Sequence, residues 1–474
     1  MLIVVKQPSE RLSRLAAALI FLTSMTAPLA HAEYVLQKAL YEFFPTNSQP
    51  YDPATRLVQG QDGNFYGTTR HGGTNTFGDS AGKGTIFRIT PDGNVKVLFS
   101  FNHTNGEFPS FGGLVQDSDG LLYGTTTRGS TNSIFGDGTF FKATTNGALT
   151  TLFYFQGTNG TTPTGLLARG SDGFYGATFE GGNYGLGTLF KITPNGIFTL
   201  LHSFDGTNDG GYPPSGLTLA SDGSFYGMTL YGGNGFTGFS GYGTLFRFTT
   251  NGIFTPLVYF DTNNIGSPKG RLANGSDGNL YGVAGKQIFK MTTNGALTVL
   301  ATFNGTNGSR CFGGVTEGMD GDFYGVTSSR LDDTNLIYYG TIFKVTTNGE
   351  LKTIFKFDGT KARNPFGTFT RATDGNLYVA VADEQANLTL DGNAGAVFRL
   401  VETPSLTVSR SIGSVTVTWT SFTNGVYRVE SRPSLSATSW TTLVSNLMAT
   451  GATASFTDLS AVAAERYYRV VLLP

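Results

Sequence analysis

The sequence predicts an all-β protein in which a seven-bladed β-propeller, closed by its N-terminal strand, is followed by a small β-sandwich. Three observations predict this fold. A strand-rich repeat with a period of about 50 residues occurs seven times, and such a period is typical of propeller blades. Each repeat carries turn signals for four antiparallel strands. The last repeat lacks one strand, and the N-terminal segment offers a spare one.

The first element of the repeat is Asp-Gly-x-(Phe/Leu)-Tyr-Gly, which places a tight turn directly before a strand. The third copy, at 172–176, is one residue shorter, and the seventh has Val379 in place of the final glycine. Measured on the tyrosine, successive copies are 43 to 57 residues apart. The seven tyrosines are Tyr66, Tyr123, Tyr175, Tyr226, Tyr281, Tyr324 and Tyr378.

The second element is Gly-Thr-(Ile/Leu/Phe)-Phe-(Lys/Arg)-x-Thr, which is complete at 84–90. An Asp-Gly or Asn-Gly pair follows it in the first six repeats, and this pair suits the positive φ angles of a type I′ hairpin turn. Each repeat therefore predicts four strands. Strand A precedes the first element, strand B carries its tyrosine, strand C carries the second element, and strand D follows the hairpin turn.

The two ends of the repeat region predict how the propeller closes. The seventh repeat contains strands A, B and C but runs past Thr403 into Pro404 without a strand D. The segment 34–43 resembles strand D and directly precedes the first strand A. We expect it to complete the last blade, because closing the ring removes an exposed sheet edge.

The chain ends predict export and a second domain. Residues 1–32 have the basic start, the apolar run and the Ala-His-Ala cleavage site of a signal peptide. We expect the mature chain to be secreted, periplasmic or attached to the cell surface, with no membrane insertion. Residues 33–403 form the predicted propeller. Residues 404–474 contain alternating strands around Trp419 and resemble a truncated fibronectin type III-like sandwich.

The composition excludes some function classes. The formal net charge is −1 and only 14% of the residues are charged, so nothing favours a nucleic-acid partner. The single cysteine, Cys311, cannot form a disulfide within the chain. No nucleophile elbow, metal-binding histidine pair or phosphate loop occurs, so we expect no cofactor and no metal. We expect a monomer.

The paired Asp-Gly-x-Leu-Tyr-Gly and Gly-Thr-Ile-Phe-Lys elements resemble the bacterial GloVer tandem-repeat family, exported proteins with a choice of C-terminal anchors. The resemblance covers about residues 34–401 and recurs in all seven repeats. It implies an exported or envelope-associated repeat protein. It implies no catalytic residues.

The residues that differ between repeats are the better candidates for function. The aspartate of the first element is present in every repeat, and a residue needed in every blade is expected to serve the turn. At the start of the B–C connection, by contrast, the residue type varies. We expect these side chains to project from one rim and to bind a ligand. They are His71, Arg128, Glu180, Tyr231 and Asp383, with Lys286 and Arg330 nearby.

Two functions remain open from the sequence. The first is a non-catalytic binding or scaffold protein that recognises glycans or cell-surface proteins through this rim. The alternative is a polysaccharide-active enzyme, a lyase or glycosidase, that uses the same rim. A deep pocket with converging carboxylates or a histidine would favour the enzyme. A shallow and irregular face would favour the scaffold.

Overall fold

The computed structural model describes most of the chain. The described residues are 3–6, 33–36, 39–44, 50–53, 56–74, 82–109, 112–129, 136–235, 241–261, 268–328, 330–331, 337–358, 366–382, 395–403, 406–411, 414–421, 426–434, 436–450, 453–460 and 465–472. Their contacts divide the chain into a large unit, residues 36–373 and 377–399, and a small unit, residues 1–35, 374–376 and 400–474.

The described residues are almost entirely β-structure. The N-terminal strands are β1 (Ile3–Lys6), β2 (Glu33–Leu36) and β3 (Tyr41–Glu42). Sheet 1 contains β4 (Val58–Gln59), β5 (Phe65–Thr69), β6 (Thr85–Ile89) and β7 (Val95–Ser100). Sheet 2 contains β8 (Leu114–Gln116), β9 (Leu122–Thr126), β10 (Thr139–Ala143) and β11 (Leu149–Tyr154). Sheet 3 contains β12 (Thr161–Gly170), β13 (Gly173–Glu180), β14 (Thr188–Ile192) and β15 (Phe198–Ser203). A 3-10 helix spans Gly157–Asn159.

The later repeats continue the pattern. Sheet 4 contains β16 (Thr218–Leu219), β17 (Phe225–Met228), β18 (Thr244–Phe248) and β19 (Phe254–Tyr259). Sheet 5 contains β20 (Ala273–Asn274), β21 (Leu280–Ala284), β22 (Gln287–Met291) and β23 (Leu297–Thr302). Sheet 6 contains β24 (Val315–Glu317), β25 (Phe323–Thr327), β28 (Thr341–Val345) and β29 (Leu351–Lys356), with a hairpin of β26 (Arg330–Leu331) and β27 (Ile337–Tyr338) between them. Sheet 7 contains β30 (Thr370–Arg371), β31 (Leu377–Val381) and β32 (Ala396–Thr403).

Each of the first six sheets is antiparallel, and its four strands, A to D, lie in chain order. Sheet 7 has strands A to C from its own repeat, and both β2 and β3 pair with its strand C. In this pairing Tyr41 lies opposite Val397 and Glu42 opposite Ala396. The backbone of Leu40 donates to Val397 at 2.8 Å. The segment that the sequence assigns to strand D of the last repeat therefore lies beside strand C of that repeat.

Burial explains the residue types of the strands. In sheet 1, strand B is buried along its whole length, Phe65–Thr69, and strand C is buried except at Arg88. Strand D is partly exposed, as in Val95–Ser100. In the first six sheets the C–D pairing shifts register directly before the conserved phenylalanine of strand C. A bulge at this place strengthens the local twist of each sheet.

The repeated aspartate serves the A–B turn, as the sequence predicts. In the first repeat, Asp62 accepts hydrogen bonds from the backbone of Asn64 at 3.2 Å and from the hydroxyl of Tyr66 at 2.7 Å. The same tyrosine–aspartate bond is present in the first six repeats, at 2.6 to 2.9 Å. The basic residue of strand C joins it in three sheets, for example Lys344 to Asp320 at 2.9 Å.

Neighbouring sheets pack through aromatic rings of strand B. The tyrosine of one sheet lies against the residue before the tyrosine in the next sheet. The ring pairs Tyr123–Phe174, Tyr175–Phe225 and Tyr281–Phe323 have centroids 3.8 to 4.5 Å apart. Tyr378 of sheet 7 makes the same contact with Phe65 of sheet 1, at 4.2 Å.

The small unit has its own core between two sheets. One sheet contains β33 (Leu406–Ser411), β34 (Ser414–Thr420) and β37 (Thr453–Asp458); the other contains β1, β38 (Glu465–Leu472), β35 (Val426–Arg432) and β36 (Thr441–Met448). Val417 and Trp419 of the first sheet pack with Val429 and Tyr468 of the second. Strand β1 lies within the segment that the sequence predicts to be a signal peptide.

Candidate functional site

A cavity of about 560 Å³ lies where the seven strands A of the large unit begin. Every repeat contributes to its wall, for example through Arg56, Gly112, Gly165, Gly216, Arg271, Gly313 and Gly367. The strands run in the same direction around the cavity, as the parallel bridge between Arg271 and Gly314 shows. A volume of this size is typical of small-molecule sites.

Glycines allow the strands to approach one another around the cavity. A Cβ atom on Gly165 would lie 1.7 Å from the nitrogen of Gly216, and one on Gly313 would lie 1.9 Å from the oxygen of Gly367. Such distances are far below van der Waals contact. The backbones of neighbouring repeats therefore form part of the wall, beside the side chains that line it.

Two arginines occupy the position at which the wall is otherwise small or apolar. The position lies six residues before the repeated aspartate, and its occupants in order are Arg56, Gly113, Leu166, Gly216, Arg271, Gly314 and Thr368. A third arginine, Arg371, lies three residues before the aspartate of the seventh repeat and also lines the cavity. Lys269 completes a set of four cations in the wall.

The arginines are close enough to influence one another. Burial lowers the pKa of Arg56, and the positive charge of Arg371 lowers it further. Burial also lowers the pKa of Arg271, to about 9, with a further contribution from Arg56. Arg56 and Arg271 are half-buried and Arg371 is exposed, and the shifts indicate that these cations repel one another.

The arginines have few protein partners. The Nε of Arg271 donates to the carbonyl of Leu217 at 2.9 Å and approaches the hydroxyl of Thr218 at 3.1 Å. Arg371 reaches the carbonyl of Gly318 at 3.4 Å. Within the described part of the chain, none of the three arginines forms an ion pair with a carboxylate.

Glu317 is the one carboxylate among the described residues of the wall. It accepts hydrogen bonds from the backbone and the hydroxyl of Ser276, at 2.9 and 2.6 Å. It therefore links sheet 6 to sheet 5. The wall as a whole carries an excess of positive charge, which suits a negatively charged ligand.

Two phenylalanines line the cavity on the side from which the strands A start. Phe312 and Phe366 are partly buried, and their ring centroids are 4.6 Å apart. The ammonium group of Lys269 lies 4.6 Å from the centroid of Phe312. This side of the cavity thus combines an apolar surface with a positive charge.

The structure brings four of the predicted rim residues together in two pairs, each around one aromatic ring. His71 is buried, stacks on Tyr51 with a centroid distance of 5.5 Å, and meets the edge of Phe108 at 5.5 Å. The guanidinium of Arg128 lies 5.8 Å from the centroid of the same Phe108. One phenylalanine from the D–A connection therefore contacts both rim residues.

The second pair meets in the same way around Tyr212. Tyr231 lies edge-on to Tyr212 at 6.0 Å, and the negative charge of Glu180, after burial, helps to raise the pKa of Tyr212. Asp383 lies outside the described residues, as does the side chain of Arg330. Lys286 is exposed.

The central residue of each pair has an unusual backbone conformation. Phe108 and Tyr212 have φ angles of 53° and 58°, and Asp52 and Thr162 share this conformation at the equivalent places. A proline follows each of the four residues. L-residues other than Gly, Asn and Asp rarely adopt this region, so the packing at the rim holds these side chains in place.

The sequence contains a signal for the cavity that lies outside the repeated motifs. Aligning the repeats on their aspartate places Arg56 and Arg271 in one column whose other members carry no charge. The loops differ in length between repeats and draw attention away from strand A, whose pattern is otherwise that of a buried strand. An isolated charge in a column of inner-strand residues is the signal that identifies this site.

Comparison with known proteins supports a propeller of tandem repeats. The model of the Gloeobacter/Verrucomicrobia repeat matches residues 31–173, 132–330 and 237–431. None of the curated proteins matches the chain. Among solved structures, a catalytically inactive virginiamycin B lyase from Staphylococcus aureus, crystallised with quinupristin, is 18% identical, with a TM-score of 0.52. The match covers 78% of this chain and 99% of the lyase chain.

Two further structures are similar at lower scores. Regucalcin, a calcium-binding protein from Agrobacterium tumefaciens, has a TM-score of 0.39 and 16% identity, over 61% of this chain and 89% of its own. A gluconolactonase from Xanthomonas campestris has a TM-score of 0.39 and 11% identity, over 84% of this chain and 97% of its own. At these identities the lyase match shows only the fold, a β-propeller.

Proposed function

This chain belongs to the Gloeobacter/Verrucomicrobia repeat family, and we propose that it is an exported, non-catalytic binding protein whose central cavity takes an anionic ligand. The observation that carries the proposal is the group of Arg56, Arg271 and Arg371 in the cavity wall, which forms no ion pair among the described residues. Like charges that share one cavity wall repel one another, and an anion that enters lowers this cost.

The proposal includes a ring of seven blades. Its support is that sheet 7 contacts sheet 1 through the same residues that join other neighbouring sheets. Thr218 of sheet 4 donates to Leu272 of sheet 5 at 2.6 Å, and Thr370 of sheet 7 donates in the same way to Leu57 of sheet 1. The stacking of Tyr378 on Phe65 repeats the aromatic contact between other neighbours.

A second repeated contact supports closure. The glycine before strand C packs against the proline of the following repeat, as Gly84 does with Pro109 and Gly187 with Pro213. Gly395 packs in this way against Pro53 of the first repeat. In the proposed ring, β3 replaces the strand D that the seventh repeat lacks.

The chemistry of arginine favours an oxyanion as the ligand. A guanidinium group presents paired N–H donors that match a carboxylate or a phosphate in two parallel hydrogen bonds. The Nη groups of Arg56 and Arg271 have no hydrogen-bond partner among the described residues. For an exported protein, acidic glycans and the acidic groups of surface proteins are the partners that combine this chemistry with the predicted location.

We propose the cavity, and not the rim, as the principal binding site. His71 and Tyr231 are engaged in aromatic packing, which leaves the exposed Arg128 and Glu180 as the rim residues that a partner can reach. The rim can then contribute to a larger surface around the cavity. We expect the small unit, as a fibronectin type III-like module, to act as a spacer.

The alternative, a lyase or glycosidase, requires other chemistry. A glycosidase uses two carboxylates on opposite sides of the bond that it breaks. Among the described residues of the wall, Glu317 is the one carboxylate and there is no histidine. An enzyme would therefore act at the rim, where His71 lies 3.9 Å from Asp52. Release of reducing ends from a glycan, lost on H71A, would establish this alternative.

Isothermal titration calorimetry with citrate tests the proposed function. The protein is expressed as the full chain and titrated as wild type, as R56M/R271M and as the rim control R128M. We expect R56M/R271M to weaken citrate binding by about tenfold or more, because charge-assisted hydrogen bonds are lost. R128M should bind as the wild type does. Weaker binding by R128M alone would instead place the site at the rim.

A further inference from the structure

The three arginines of the cavity are spread along its length. Arg56 and Arg271 occupy the same level, six residues before the repeated aspartate, whereas Arg371 lies three residues further along strand A. Because an extended strand rises about 3.3 Å per residue, the two levels are separated by about 10 Å of strand. The positive charges therefore form a row along the cavity.

Electrostatic couplings link the three arginines. The charge of Arg371 affects Arg56, and the charge of Arg56 affects Arg271. Arg56 is thus coupled to both of the other arginines. A single carboxylate or phosphate can accept a bidentate pair from one guanidinium, so three guanidinium groups present more donors than one such anionic group can use.

The ends of the row differ in character. At the level of Arg371, the neighbouring sheet carries Glu317, which Ser276 holds by two hydrogen bonds. At the other end, Lys269 lies over Phe312. A negative ligand is therefore attracted along the row from the Lys269 end and meets a negative charge beside Arg371.

We propose that the cavity binds a short linear polyanion with at least two negative groups, one at the level of Arg56 and Arg271 and one at Arg371. This inference rests on the proposed function, because it specifies the ligand of the same cavity. Two sources share the required chemistry, an oligomer of acidic sugars and a short polyphosphate. The cavity volume of about 560 Å³ favours two or three units over a long chain.

The test compares ligands of increasing length with the same repeating group. Galacturonate, digalacturonate and trigalacturonate form one series, and phosphate and tripolyphosphate form the other. Binding to the full chain is measured by calorimetry at two salt concentrations. We expect the longer member of at least one series to bind about tenfold or more tightly than its monomer, with a steeper salt dependence. The series that shows this gain identifies the source.

Variants separate the two levels. R371M should reduce the affinity for the longer ligand towards that of the monomer while it leaves monomer binding unchanged. R56M/R271M should weaken both. E317Q should bind the longer ligand more tightly, because it removes the negative charge beside Arg371 and keeps a hydrogen-bond acceptor for Ser276. Circular dichroism and melting temperature check that each variant is folded.

The outcomes distinguish this inference from the proposed function. Equal binding of monomer and longer ligand, with loss in R56M/R271M and no effect of R371M, would overturn the polyanion and retain the anion site. Failure of both series and of citrate to bind would overturn both. A gain with length that R371M leaves intact would also contradict the assignment of the second level.

Discussion

Neighbouring sheets meet in different ways at the cavity and at the rim. Around the cavity they meet backbone to backbone, and Gly165 approaches Gly216 too closely for any side chain. At the rim they meet through inserted side chains, since Phe108 contacts both His71 and Arg128. At the cavity, the guanidinium groups of Arg56 and Arg271 form no ion pair among the described residues and are available to a ligand. A varied side chain at the rim is in part used to join the repeats.

The largest expected effect comes from adding a methyl group where two backbones are in contact at the cavity. Gly165→Ala should destabilise the protein by several kcal/mol, because the new methyl group would lie 1.7 Å from a backbone nitrogen and the φ angle is +76°. Gly120→Ala is the matched control, with a φ angle of +79° and no atom within 4 Å. It should cost roughly 1–2 kcal/mol. Urea denaturation measures both, and equal costs would contradict the backbone-packed wall.

A smaller effect is expected from the rim. Phe108→Ala removes the ring between His71 and Arg128 and should lower the free energy of unfolding by about 1–3 kcal/mol, with citrate affinity unchanged. Phe44→Ala, at an exposed ring, is the control and should have little effect on stability. If Phe108→Ala weakens citrate binding as strongly as R56M/R271M, the distinction between the two regions is wrong.

The smallest effect concerns the turns that both regions share. Burial alone would raise the pKa of Asp277, but hydrogen bonds from Lys290, Asn279 and Tyr281 outweigh it and lower the pKa. A carboxyl group with a lowered pKa stabilises the fold above its unfolded value of about 3.9, and this contribution is lost as the pH falls further.

Melting temperatures between pH 6 and pH 2.5 check this expectation. The wild type should lose stability on acidification more steeply than Asp277→Asn, by less than about 1 kcal/mol because the pair is partly exposed. Lys290→Met should show an intermediate slope. Parallel curves for all three proteins would show that the turn does not contribute through its charge.

Much of the fold could be predicted because each repeat carries the turn motifs and strand patterns that identify its own strands. The turn role of Asp62, the buried Tyr66 and the core position of Trp419 all follow from local patterns. The segment before the first strand A was predicted to pair in sheet 7, and Tyr41 lies opposite Val397 there. A period and a missing strand are sufficient for that prediction.

The cavity could not be predicted in the same way, because Arg56 and Arg271 are far apart in the chain and meet only when the strands A converge. The packing of the rim could not be predicted from the sequence either. Positive φ angles at Phe108 and Tyr212 have no signal in residue type, since glycine and asparagine are the usual residues there. Asp383, the fifth predicted rim residue, stays a prediction.

The bond between the repeated tyrosine and aspartate has a consequence for how such a protein can change over generations. Because Tyr66 and Asp62 belong to one repeat, a duplicated copy brings the support for its own turn with it. The residue that faces the cavity lies outside this bond, at the start of strand A. Gly216 at this position has no room for a Cβ atom, but Leu166 already carries a side chain there. A change from Leu166 to arginine would alter what the protein can hold while the turn of that copy stays intact. New specificities can therefore arise one repeat at a time.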